Sequence, residues 1–103
     1  MRIPRLVWNR RHNVAALTVS YGRRVWHTRE VGDLILGYNA AGRLSRIVLL
    51  DPRGLLPVDA TAADAIERVT EVLLRSGGVR QVELDVLRSA LERTSDDHLR
   101  AVP

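Results

Sequence analysis

The chain has 103 residues, 46% of them apolar, with sixteen Arg, no Lys, twelve acids and a formal charge of +4. That length suits one domain, residues 1–103, around one continuous core, and excludes two independent cores. The lack of cysteine excludes disulfides, thiolate nucleophiles and Cys-type zinc sites.

A reducing, cytoplasmic setting is expected from the missing cysteines. No apolar run nears the roughly 20 residues of a membrane span, and "MRIPRLVW" lacks the long apolar segment of a signal peptide. A GC-rich coding sequence explains the Arg-only skew more easily than phosphate binding does. Charge is unevenly spread: residues 1–54 carry ten Arg against Glu30, Asp33 and Asp51, whereas residues 55–103 carry six Arg against nine acids. Such asymmetry fits a basic binding surface, or two halves that attract within a chain or across a dimer.

In chain order, residues 1–55 read as β structure. "RLVW" (5–8) is a short apolar run, and "VAALTVSY" (14–21) alternates, with Ala15, Leu17, Val19 and Tyr21 on one face and Thr18 and Ser20 on the other. "VWHTREV" (25–31), "LILGY" (34–38) and "LSRIVLL" (44–50) follow, separated by turn residues at Gly22, at Gly32-Asp33 and from Asn39 to Gly42. The polar alternates of 25–31 suit an edge strand or an irregular crossing. The expected arrangement is an antiparallel four- or five-stranded β-meander. "YNAAGRL" reads as a hairpin loop: Asn39 bonds its local backbone, and Gly42 takes the left-handed conformation that a Cβ disfavours.

After "DPRGLLPVD" (51–59) the period changes. "TAADAIERVTEVLLRS" opens with Thr61 as N-cap and Asp64 three positions on, an acidic capping box. Ala62, Ala65, Ile66, Val69, Val72 and Leu73 share a stripe, and Asp64/Arg68 and Glu71/Arg75 are spaced as i,i+4 pairs. Ser76-Gly77-Gly78 ends this helix. "VRQVELDVLRSALERT" places Val79, Val82, Val86, Leu87, Ala90 and Leu91 on a second apolar face, although "VELDV" also alternates as a strand would. The helical part spans 60–95, and 96–103 is expected to fray. The fold class is therefore α+β, a meander followed by two C-terminal helices packing on the sheet or on a dimer partner.

Chemical signatures are sparse. His12, His27 and His98 lack metal-site spacing, and a strand would point His27 and Glu30 to opposite faces. No serine sits in a G-x-S-x-G elbow. No catalytic, cofactor or metal residue is therefore assigned, and no cofactor is expected. The remaining candidates are the basic loops. In a meander, Arg10, Arg11 and Arg53 fall at one end of the sheet and Arg23, Arg24 and Arg43 at the other, which splits the charge.

The strand half resembles the domain-of-unknown-function family 2283 (DUF2283). "EVGDLILGYNAAGRLSRIVLLD" (30–51) follows that family's closing hairpin, and "WNRRHNVAALTV" (8–19) follows its opening segment more loosely. Asn9, Asn13 and Asn39 stand where the family has Asp, and Arg46 where it has Gly. The resemblance implies a small β-rich fold with no established activity, some members looking like antitoxin-type partners of toxin-like proteins. The expected function is a non-enzymatic interaction module working as a homodimer or beside a toxin-like partner, with a nucleic-acid-binding regulator as the alternative. Arg10, Arg11, Arg23, Arg24, Trp26 and Arg46 are the candidate partner-binding residues.

Overall fold

The computed structural model describes residues 3–21 and 24–101, with side chains described as far as Thr94. Five strands, β1 (Arg5–Asn9), β2 (Val14–Thr18), β3 (His27–Val31), β4 (Leu34–Tyr38) and β5 (Leu44–Leu49), precede α1 (Ala62–Ser76) and α2 (Gln81–Ala101). A 3₁₀ turn at Pro52–Gly54 joins the two halves. The architecture is α+β, one five-stranded antiparallel sheet followed by two helices.

The strands do not stand in chain order. The sequence β1-β2-β5-β4-β3 replaces the expected simple meander: β5 lies between β2 and β4, and β3 lies at an edge. Burial explains the exchange. β5 hides Leu44, Ser45, Ile47 and Leu49, whereas "HTREV" of β3 has no fully buried residue. Chain order would have placed that polar strand centrally and left β5 with one side unpaired.

Ala15, Leu17, Leu34, Leu36, Ile47 and Leu49 form the inner face of the sheet, each at most 1% exposed. They meet the α1 stripe Ala65, Ile66, Val69 and Leu73 and the α2 residues Val86, Leu87 and Ala90. Both helices thus cover the same side of the sheet. Tyr21 departs from its expected place on this inner face. β2 ends at Thr18, the chain turns away, and Tyr21 is 67% exposed while Ser20 is buried, its hydroxyl donating to Leu44 O at 2.7 Å.

The local signals behave as their chemistry requires. Asn39 Oδ1 accepts from the backbone N–H of Ala41 and Arg43, both at 3.0 Å, and Gly42 has φ +79. Thr61 Oγ1 accepts from Asp64 N at 3.2 Å, while the Asp64 carboxylate accepts from Thr61 N at 2.9 Å, completing the capping box. Arg68 pairs with Glu71 at 2.8 Å, not with Asp64, whose carboxylate is occupied by the cap. Residues 81–85 are helical, which resolves the alternation of "VELDV". Residues 96–101, expected to fray, continue α2 as helical backbone, with no glycine or proline before Pro103 to stop it. Among the described residues no helix is long and apolar enough to cross a membrane.

Candidate functional site

Two places concentrate chemistry: a buried carboxylate under α2, and the sheet face that no helix covers.

The sequence pattern put Val82 on the apolar face of α2. Instead Val82 is 60% exposed, and Glu83 takes the buried position at 1% exposure, in line with Val86, Leu87 and Ala90. A buried carboxylate needs a full set of donors, and Glu83 has them. Tyr38 Oη donates to Oε2 at 2.5 Å, Arg29 Nη2 reaches Oε1 and Oε2 at 3.1 and 3.2 Å, and Arg80 donates its backbone N–H and its Nε to Oε1 at 3.0 and 3.1 Å. His27 stacks on the Tyr38 ring at 4.6 Å, and the Arg80 guanidinium lies over it at 5.3 Å.

Burial alone would push the Glu83 carboxyl up. The Tyr38 hydroxyl, the Arg80 hydrogen bonds and the Arg29 charge outweigh it and hold the group below the ordinary carboxylate range. An ionised carboxylate so fully engaged makes a poor proton acceptor, so the cluster works as a brace. It ties the first turn of α2 to β3 and β4. Beside it, a groove of about 510 Å³ opens between the β4–β5 turn and α2, lined among others by Arg43, Leu44, Val82, Asp85 and Ser89. Glu83 borders this groove, yet its oxygens are directed to Arg29, Arg80 and Tyr38.

The opposite face of the sheet is built by strand alternation. Val7, Ala16, Val48, Ile35 and Glu30 stand side by side across all five strands. The next rung is Arg5, Thr18, Arg46, Gly37 and Thr28. The first rung is apolar over four strands and ends in an acid; the second carries two arginines. Val7 is 49% exposed, and Ala16, Val48 and Ile35 are partly exposed. Val25 lies over Gly37: a Cβ there would meet Val25 Cγ2 at 3.0 Å. Val25 therefore lies over this face at the end occupied by Arg46, and Gly37 makes room for it.

The sequence candidates separate as the alternating connections require. Arg10 and Arg53 share one end, where Arg53 Nη2 donates to Arg10 O at 3.1 Å. Arg10 is committed to structure: its guanidinium stacks on Trp8 at 4.3 Å and donates to Val58 O at 2.5 Å. Arg11 is exposed at that same turn. Arg24 and Trp26 are exposed in the connection leading into β3 at the other end, Trp26 at 66%. Arg46 faces the helix-free side. Arg23 lies outside the described residues, as does the side chain of His98. Sequence reasoning missed Arg29, Tyr38 and Glu83; a Glu in line with Val86, Leu87 and Ala90 was the available signal.

Among the described residues no group of three or more His, Asp or Glu side chains converges as a metal site would require. No family model, curated protein or solved structure matches the chain.

Proposed function

We propose that the chain is a non-enzymatic interaction module that acts as a homodimer, two copies docking through the helix-free faces of their sheets. The supporting observation is the rung Val7–Ala16–Val48–Ile35, apolar across four adjacent strands and, among the described residues, outside the core that meets the helices. Large contiguous apolar surface is uncommon on monomers and marks contact sites. Five strands of about five residues present a face of roughly 24 by 17 Å, open to a second sheet apart from the end where Val25 lies over Gly37. Both charge signs stand on that face, Arg5 and Arg46 with Glu30, which suits self-association better than docking of a strongly charged partner. A cytoplasmic setting fits a chain without cysteine.

Sedimentation velocity at micromolar concentration tests the reading: a dimer is expected, and a strict monomer overturns it. Val48→Asp, at a partly exposed position, should give a folded monomer. The toxin-like partner rests on the family resemblance alone. The nucleic-acid reading retains one favourable observation, that Arg24, Arg46 and the exposed Trp26 share one end of the sheet. Arg10 and Arg11 at the far end weigh against a single basic stripe. On that reading single-stranded oligonucleotides would bind with a steep salt dependence.

A further inference from the structure

We infer that a single strand of nucleic acid crosses the helix-free face along the rung of Arg5, Thr18 and Arg46, its phosphates held by these two arginines and Arg24 and one of its bases stacked on Trp26. The inference rests on the nucleic-acid reading above and needs no second copy of the chain. Arg5 on β1 and Arg46 on β5 flank Thr18 on β2. The two arginines leave the sheet on the same side, two strand spacings or about 10 Å apart, so their long side chains can close on a phosphate above Thr18 with charged hydrogen bonds from both. Arg5, Arg24 and Arg46 are exposed, and among the described residues the ion pairs engage Arg29, Arg68 and Arg80 instead. No acid stands on this rung; Glu30 belongs to the next one.

The aromatic residues divide in the same way as the charge. Trp8 packs against the core and Tyr38 is buried beside Glu83, whereas Tyr21 and Trp26, 67% and 66% exposed, both stand at the Arg46 end. Ser20, whose hydroxyl donates to Leu44 O, places Tyr21 there. The Trp26 N–H donates to Tyr38 O at 2.8 Å, and the next residue, His27, stacks inward on the Tyr38 ring. Strand alternation from His27 turns the Trp26 indole to the helix-free side. From Arg46 to Trp26 a ligand crosses two strand spacings and two residues beyond Thr28, about 12 Å, and from Arg5 about 20 Å. Midway it passes Val25, 37% exposed above Gly37, an apolar surface for a sugar or base edge. This is also the end of the face that is not open to a second sheet. A positive track with a stacking platform at its end is the combination by which proteins hold single strands without reading their sequence.

Fluorescence anisotropy with a labelled oligothymidine of about ten nucleotides, followed through a salt series, tests the path. Contacts from Arg5, Arg24 and Arg46 predict that the logarithm of the binding constant falls with that of the salt concentration at a slope of about −2, and Arg5→Ala and Arg46→Ala should each flatten it by about 0.7. Trp26→Ala should weaken binding ~10-fold and leave the slope unchanged. Arg11→Ala, at the opposite end of the sheet, should alter neither. Circular dichroism checks that each variant is folded, as expected at exposed positions. If Trp26→Ala changes nothing, or if Arg11→Ala costs as much as Arg46→Ala, the path is wrong and the nucleic-acid reading stands. If the unsubstituted chain binds no oligonucleotide at low salt, the path and that reading fall together.

Discussion

Replacing Glu83 by Gln keeps the shape of the side chain and removes the charge that Arg29 and Arg80 share. Breaking one partner out of a buried ionic cluster leaves the others poorly matched, so Glu83→Gln should cost about 3 kcal/mol in chemical denaturation. Its pH dependence is distinctive. The folded carboxyl titrates below its ordinary value of 4.5, so its contribution is complete above that pH and is lost as pH falls through the folded value. The melting temperature of the unsubstituted chain should drop along this acid limb, and that of Glu83→Gln should drop less. Tyr38→Phe, which removes one donor to the carboxylate, should show a smaller loss, about 1–2 kcal/mol. This brace was not legible in the sequence. Its partners lie 54 and 45 residues from Glu83, and a helical pattern scored by hydropathy prefers Val82 to a charged neighbour whose partners are distant.

Among the elements, α1 and the β4–β5 hairpin were readable because their determinants are local: a capping box, an apolar stripe, and an Asn and a Gly three residues apart. The order of the strands was not. Pairing of β2 with β5 is decided by which strand has most to bury, and no neighbouring residue encodes that. The route between β2 and β3 follows from the same exchange, because a chain leaving β2 must pass β5 and β4 to reach the edge. Gly37 records that route. Gly37→Ala should lower stability by about 1 kcal/mol through overpacking against Val25, and adding Val25→Ala should recover most of it; thermal melts of the single and double variants measure this. Equal losses in both would mean that Val25 is not what Gly37 accommodates.

For the whole molecule, the proposed docking of two copies through the apolar rung would make association part of stability. Binding that favours the folded state raises the melting temperature with concentration. A tenfold increase in protein should therefore raise it by a few degrees, and Val48→Asp should abolish the dependence. The alternation that exposes Arg46 was legible in the sequence, as was a sheet with one face covered by the helices, and the core the two helices share bears out that cover.

The central position of β5 also bears on how the protein is made. Residues 5–18 leave the ribosome before the rest of the sheet, and the strand that completes their pairing ends at Leu49, about thirty residues later. At roughly 5–20 residues per second that delay lasts seconds. For that interval the β1–β2 hairpin offers an open edge and an apolar rung while neighbouring ribosomes on the same message carry identical chains. Until β5 arrives, the β2 edge is open to strand pairing with another chain, a contact distinct from the proposed face-to-face docking and removed once β5 pairs with β2.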